Sequence, residues 1–487
     1  MGLFVESPKE SSNLKQKAVK GVIWSAIESW GRQVVSFGVF FVLARLLGPE
    51  TFGLVALASI FLAFVQIFLD QGLSTAIVQR KEIEPEHLDT AFWTNLGIGI
   101  LLTILSIACA GFVSNLFREP QVTPIIQWLS LNFAIGSLNN VQQAILKRQM
   151  AFKPLAIRSL VAVIIGGAVG VVMAFLGYGV WSLVGQQLSN AIAQVITLWK
   201  VSDWRPGLRF SPKHFKELFS FGINIVGISL LNFVTRRSDD FLIGYFLGSV
   251  ALGYYSVAYR LLLITTQLLT SVISNVSLPT FAKLQQEPER LRNALYKAIQ
   301  ITSLIAFPGF IGMTALSPEL VPVIFGEKWL PSIPVMQILN LTGILYAYFY
   351  FNGSLIMALG KPSWKLGLDF VQATGNFIAF AITVRWGIVA VAAAYVIRCY
   401  LTAPLTVWVV WKLSRINIMT YLSQGVAPLT GSVIMLVAIF STKHFLSPIL
   451  NSLGILAVSI LLGITAYVVT IFLIAPKLFR QVVTITR

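Results

Sequence analysis

Long apolar stretches recur along this chain from one end to the other, and they constrain its fold more than any other feature. About fourteen of them approach the ~20 residues that an α-helix needs to cross membrane hydrocarbon. A backbone in hydrocarbon must satisfy its hydrogen bonds internally, so the sequence predicts an all-α polytopic membrane protein. The stretches are 21–44, 53–73, 91–113, 124–145, 156–176, 180–199, 219–244, 251–278, 298–316, 332–358, 366–384, 388–411, 421–441 and 449–475.

Charge is scarce in this sequence and unevenly placed. Only 11% of the 487 residues are charged, against about 25% in a typical soluble protein. The net charge is +17, and 26 of the 36 Lys and Arg fall in alternate loops on the side of residues 1–20, against five in the opposite loops. This asymmetry predicts that both termini of a multi-pass membrane protein are cytoplasmic. It leaves no basic surface that would indicate a nucleic-acid partner.

The second half of the chain repeats features of the first at offsets of 200 to 212 residues. Residues 44–53 (ARLLGPETFG) resemble 244–253 (GYFLGSVALG), and Gly179 corresponds to Gly387. Each repeat contains six apolar stretches, an even number, so both halves enter the membrane in the same orientation. The sequence therefore predicts two parallel six-helix repeats around a central cavity, the usual construction of a secondary transporter, with two extra C-terminal helices.

These patterns predict the following organisation. The extra helix pair has no counterpart in the first half, and it serves either as packing or as part of a lipid-binding groove. The predicted segments are a cytoplasmic N-terminal segment 1–20, a six-helix bundle 21–200, a cytoplasmic linker 201–217, a second six-helix bundle 218–412, the additional pair 421–475 and a cytoplasmic tail 476–487.

Ten charged residues remain inside the predicted spans once Arg158, at the edge of the stretch 156–176, is counted with the basic residues of the loop 146–158. Each costs about 2.5–3.5 kcal/mol at a helix centre, so they must be paired, hydrated or both. They are Arg32, Arg236, Arg237, Arg260, Arg398, Glu28, Asp70, Asp239, Asp240 and Asp369.

Arginine is suited to bidentate capture of phosphate oxygens, so a hydrated cavity that contains several arginines predicts an anionic, phosphorylated substrate. Four arginines are candidate ligands: Arg32, Arg260, Arg236 and Arg398. Four acids are candidates for ion coupling or for structural pairing: Glu28, Asp70, Asp240 and Asp369. The alternative is that internal salt bridges hold the helices together, with Glu28 paired locally and Arg237 paired with Asp239 or Asp240.

No pattern in the sequence predicts catalysis, a metal site or a cofactor. The three histidines lie in separate predicted loops, and residues 358–362 (ALGKP) lack most of a phosphate-binding loop. The predicted outer loops are too short for an external catalytic domain, which argues against a membrane glycosyl polymerase. We therefore expect a protein that is not an enzyme.

Several motifs together resemble a known family. They are LLGPETFG at 46–53, DQGL at 70–73, LGYYSVAYR at 252–260, FGEKW at 325–329 and ALGKP at 358–362. In combination they resemble the Wzx-type polysaccharide exporters, in particular the colanic-acid-exporter branch of the superfamily that includes MATE drug exporters and the lipid II flippase. The resemblance implies a flippase that moves a prenyl-pyrophosphate-linked oligosaccharide repeat unit across the membrane by alternating access, for surface polysaccharide biosynthesis.

The resemblance also implies roles for individual residues. Arg32 and Arg260 would hold the pyrophosphate, with Arg236 and Arg398 assisting, and the polar side chains of Asn232 and Gln267 would meet the sugars. Membrane lipids and a polysaccharide polymerase or export machinery are the implied partners. Two alternatives remain open, a MATE-type cation-coupled drug antiporter and, less favoured because several expected cavity charges are missing, a lipid II flippase.

Overall fold

The computed structural model describes the backbone of residues 8–69, 74, 77–78 and 83–476, and the side chains of these residues except 8–19, 22, 213–226, 228 and 268–278. Within these ranges the chain forms helices and contains no β-strand, which confirms the all-α prediction. The α-helices are α1 Pro8–Leu46, α2 Pro49–Leu69, α3 Pro85–Phe117, α4 Val122–Arg148, α5 Phe152–Phe175, α6 Val180–Val201, α7 Pro212–Lys283, α8 Pro288–Ile324, α9 Ile333–Asn340, α10 Gly343–Phe349, α11 Asn352–Ala358, α12 Pro362–Thr383, α13 Ile388–Ser414, α14 Ile418–Ser423, α15 Val426–Leu446 and α16 Ser452–Ile474.

Each of the fourteen predicted apolar stretches overlaps one or more of these helices. Ten segments of the described residues are long and apolar enough to cross a membrane, so the chain is a multi-pass membrane protein. The number of fourteen crossings, the repeat layout and the orientation of the termini remain predictions.

Glycines with positive φ lie at two helix starts and at one helix break. Gly179 (φ 54°) and Gly387 (φ 94°) precede α6 and α13, and both adopt backbone conformations that residues with a Cβ disfavour. Gly248 (φ 82°, ψ −176°) interrupts α7 between the stretches 219–244 and 251–278, so α7 comprises two helical segments, as the sequence predicted.

The contacts of the chain divide it into two compact units. The first contains the residues up to Phe233 together with Gly248–Val250, and the second contains Val234–Leu247 and the residues from Ala251 onward. In the first unit α5 packs against α1 and α6, and α3 packs against α4. In the second, α12 packs against α13, and α8 contacts both α15 and α16. Residues 202–211 connect α6 to α7 without helix, and the domain boundaries predicted from the sequence remain a prediction.

The C-terminal helices α15 and α16 pack against each other and against α8. A cluster of buried apolar side chains joins the three helices: Ala315, Leu316, Met435, Ile439, Tyr467 and Ile471. Two polar contacts reinforce it, because the Tyr467 hydroxyl donates to the Leu304 carbonyl oxygen at 2.7 Å and the Lys443 ammonium lies 2.5 Å from a Glu319 carboxylate oxygen. These contacts favour a packing role for the pair over a lipid-binding groove.

We predict that Lys443→Ala lowers the stability of the folded protein. The Lys443 and Glu319 side chains are only 15% and 17% exposed, so removal of the cation leaves a mostly buried carboxylate unpaired. A loss of about 1–3 kcal/mol is expected, between the values for exposed and fully buried pairs. Thermal unfolding of purified protein in detergent measures it. The double variant Lys443→Met/Glu319→Leu is the control, and it should recover part of the loss; equal melting of wild type and Lys443→Ala would contradict the prediction.

Candidate functional site

A polar cavity of about 250 Å³ lies within the first unit, between α1, α5 and α6. Three of its side chains come from α1 at helical spacing, Glu28, Arg32 and Ser36, which confirms that they share one face of that helix. The complete lining is Glu28, Arg32, Ser36, Arg158, Ser159, Val163, Asn190 and Gln194.

Glycines bring these three helices close enough to form the cavity. A Cβ at Gly166 of α5 would lie 2.8 Å from both the Asn190 Cβ and the Gln186 carbonyl oxygen of α6. A Cβ at Gly31 of α1 would lie 2.8 Å from a methyl group of Leu160 on α5. Any larger residue at Gly166 would therefore separate α5 from α6.

The cavity contains two arginines and one acid. The Ser159 hydroxyl donates to Glu28 Oε1 at 2.6 Å, and Arg158 Nη2 lies 3.4 Å from the Ser159 oxygen. Arg158 is only 7% exposed, and its Nε has no hydrogen-bond partner among the described residues. Arg32 is exposed, and within the described part of the chain it forms neither a hydrogen bond nor an ion pair. The cavity therefore has one positive charge in excess, and both guanidinium groups have donors available.

The prediction that Arg158 belongs to the loop 146–158 is wrong. The helix α5 begins at Phe152, so Arg158 lies almost two turns inside it. Its neighbours on the same helical face are small (Ser159, Ala162 and Gly166), and a face of small residues indicates close contact with another helix. That spacing is the signal that could have identified Arg158 as an inward-facing residue.

The predicted acids of the second unit form ion pairs. Asp240 lies 2.8 Å from Arg237, which confirms the salt bridge expected on this helix. Asp369 pairs with Lys365 one turn earlier on α12, a lysine that precedes the predicted stretch 366–384. Both pairs favour the structural interpretation of these acids over ion coupling.

Arg398 is a half-buried residue of α13. Its guanidinium carbon lies 5.2 Å from the centre of the Tyr395 ring, and a Cβ at Gly375 of α12 would lie 3.4 Å from its aliphatic stem. The other predicted ligands lie on α7, where Asn232 belongs to the first unit and Arg236 to the second.

Arg260 and Gln267 lie beyond Gly248 on α7, and like Asn232 and Arg236 they are exposed. Asp70 lies outside the described residues. Glu28 and Arg32 are thus the predicted site residues that line the 250 Å³ cavity.

Comparison with known proteins identifies the family. Residues 42–334, more than half of the chain, match the model of the family described as "Polysaccharide biosynthesis protein". The chain belongs to this family. The finding confirms the resemblance to polysaccharide exporters that the motifs indicated.

Relatives and a solved structure agree with this membership. The chain is 29% identical to the lipopolysaccharide biosynthesis protein WzxC of Escherichia coli K12, over 80% of this chain and 81% of the relative. It is 28% identical to the succinoglycan biosynthesis transport protein ExoT of Rhizobium meliloti, over 96% and 95%. The solved structure of the lipid II flippase MurJ, in an inward closed conformation, superposes with a TM-score of 0.77 at 16% identity, over 94% of this chain and all of that one. The likeness to MurJ shows that this chain has the same fold as that protein.

We predict that the cavity contains water. With Cys109 and Cys399 replaced by serine, Gln194→Cys should react with a charged thiol reagent about tenfold faster than a lipid-facing cysteine, because the reactive thiolate forms where water and cations stabilise it. Ile196→Cys is the matched control on the same helix, since Ile196 is apolar and 50% exposed. Labelling rates of purified protein in detergent decide between the outcomes. Equal rates at the two positions would contradict a hydrated cavity.

Proposed function

We propose that this protein is a flippase that moves a prenyl-pyrophosphate-linked oligosaccharide across the bacterial inner membrane for surface polysaccharide biosynthesis. Arg32 and Arg158, with one positive charge in excess of Glu28, are the observation that carries the proposal. An unmatched charge inside a membrane protein is costly, and an anionic ligand would neutralise it. The names of the relatives, a lipopolysaccharide biosynthesis protein and a succinoglycan transport protein, support an oligosaccharide substrate.

The cavity residues divide the recognition of such a lipid between them. Arg32 and Arg158 present planar guanidinium groups that bind phosphate oxygens through paired hydrogen bonds. Ser159 holds Glu28, so this acid orients the arginine side of the cavity without competing for the ligand. Asn190 and Gln194, which are joined by a 2.7 Å hydrogen bond, offer amide groups to sugar hydroxyls.

The remaining predicted residues complete the proposed mechanism. Arg260, Arg236 and Arg398 are candidate phosphate ligands of the second unit, and Asn232 and Gln267 are candidate sugar ligands. Transport proceeds by alternating access, with the head group passing through hydrated protein while the prenyl chain stays in lipid. Cytoplasmic termini, as the distribution of Lys and Arg predicts, place the loading side in the cytoplasm.

The MATE-type alternative, a cation-coupled drug antiporter, requires a different charge balance. A cavity for small organic cations would be dominated by acids, whereas this cavity contains two arginines and one glutamate. The lipid II alternative shares the fold of MurJ, but at 16% identity this likeness carries no information about the substrate. The experiment below separates all three.

We predict that Arg158→Ala and Arg32→Ala each slow lipid transport by about 10- to 100-fold, because each removes charge-assisted hydrogen bonds of about 1.5–3 kcal/mol. Purified protein in vesicles, with a fluorescent prenyl-pyrophosphate oligosaccharide and a membrane-impermeant quencher, measures exchange between leaflets. Arg158→Lys should retain intermediate activity, because it keeps the charge and loses the bidentate geometry.

Arg385→Ala is the matched control, since it removes an exposed arginine outside this cavity and should leave exchange unchanged. Faster exchange of a peptide-bearing lipid II analogue would favour the lipid II alternative. Transport of a cationic dye with no exchange of the oligosaccharide lipid would favour the drug antiporter and reject the proposed function.

A further inference from the structure

Asp239 is a buried acid that the proposed lipid-binding residues do not use. It lies on α7 within a segment, Ser229–Gln267, that is long and apolar enough to cross a membrane. The residue is 5% exposed, which is unusual for aspartate because a buried charge loses its hydration. Burial of this kind requires either a cation or a proton to neutralise the carboxylate.

The nearby cation is already engaged. Arg237 lies one turn before Asp240 and donates to its Oδ2 at 2.8 Å. If both aspartates were ionised, Asp239 would lack a bonded cation, because Arg236, one turn before it, is exposed and forms no ion pair within the described residues. The adjacent carboxylates would also repel each other at low dielectric, so the pair is more stable when one of them is neutral.

The hydrogen bonds of Asp239 identify it as the neutral partner. Its Oδ2 accepts a 2.9 Å hydrogen bond from the Tyr255 hydroxyl, and Tyr255 is itself fully buried. Its Oδ1 is buried and has no hydrogen-bond partner among the described residues. A single unpartnered carboxylate oxygen suits a proton, whereas hard metal cations take about six or more oxygen ligands.

A row of tyrosines extends from Asp239 towards a predicted substrate ligand. The ring of Tyr255 stacks on Tyr259 at 6.0 Å, and Tyr259 meets Tyr395 of α13 edge to face at 6.3 Å. The Tyr395 hydroxyl contacts the Tyr346 hydroxyl of α10 at 2.7 Å. The Arg398 guanidinium lies over the ring of Tyr395.

The titratable and charged groups around Asp239 are therefore few in the described part of the second unit. Asp240, Arg237, Tyr255 and Tyr259 share its helix, as does the exposed Arg236. Tyr395 and Arg398 approach from α13, and Tyr346 approaches from α10. None of the groups from α10 or α13 adds an acid, so the proton exchange assigned below belongs to one carboxylate.

We propose that Asp239 is a proton-binding site and that it takes up and releases one proton in each transport cycle. Proton binding at Asp239 stands on the geometry of the second unit alone. Its coupling to lipid movement rests on the proposed function. The site differs from the acids that the sequence predicts for ion coupling, because Asp240 and Asp369 pair with cations and Asp239 forms no ion pair within the described residues.

Infrared difference spectra between neutral and alkaline pH, a range in which ordinary exposed carboxylates stay ionised, test proton binding without any transport assay. Wild-type protein should show the carbonyl band of a protonated carboxylic acid that disappears at alkaline pH, and Asp239→Asn should lack it. Asp369→Asn is the matched control, since it removes another aspartate of the same unit and should keep the band. Asp239→Glu should restore a shifted band, and it serves as the test if the asparagine variant does not fold. A band that is unchanged in both Asp239 variants overturns the proposal.

Leaflet exchange of the fluorescent prenyl-pyrophosphate oligosaccharide in vesicles tests the coupling. An inward proton gradient should raise wild-type exchange several-fold, and the gradient should have no effect on Asp239→Asn. Tyr255→Phe should keep the coupling but move its midpoint to higher pH, because the ionised carboxylate loses a hydrogen bond.

The two proposals fail in different ways. Absence of exchange in wild type under every gradient rejects the flippase function and leaves the infrared test of Asp239 standing. Exchange that ignores a proton gradient in wild type, or that responds equally in wild type and Asp239→Asn, overturns the proton site as the coupling element. A response to a sodium gradient in place of a proton gradient overturns it as well.

Discussion

The cost of charge in a low-dielectric environment determines how this protein is built. Every ionised side chain at bilayer depth must find a counter-charge, a set of hydrogen bonds or water. Three pairs in the described residues meet this condition within or between helices: Arg237 with Asp240, Lys365 with Asp369, and Lys443 with Glu319. The arginines of the cavity and the buried Asp239 are not neutralised by these pairs, so their charges need another explanation.

Hydropathy located the helices well because the bilayer imposes one length and one pattern on all of them. The stretch 388–411 corresponds to α13 and 366–384 to α12, with ends that differ by a few residues. The stretch 332–358 also lies in a segment that is long and apolar enough to cross a membrane, but hydropathy does not predict its division into three short helices. The Asn340 amide and the Thr342 hydroxyl donate to backbone carbonyl oxygens of the preceding turn, at 2.9 and 2.7 Å, near the first break. Such bonds compete with helix propagation, and an averaged hydropathy does not detect them.

The candidate site was harder to predict than the helices, because a side chain's role depends on which helix face is turned inward. Glu28, Arg32 and Ser36 follow one another at spacings of four residues, which places them on one helix face, and the cavity confirms that face. Arg158 was missed since counting charges by segment assigns every residue near a helix end to the loop. Asp239 was seen but grouped with Asp240, because sequence cannot decide which of two adjacent acids takes the arginine. That choice depends on the contact with Tyr255, sixteen residues away across the break at Gly248.

The two units differ in the sign of the charge that their own side chains leave unbalanced. In the first unit, two arginines face one glutamate, so the cavity favours an anion. In the second, Asp239 is buried and forms no ion pair among the described residues, so this carboxylate favours a proton. An anion and a proton compete for none of the same residues, and each neutralises the group to which it binds.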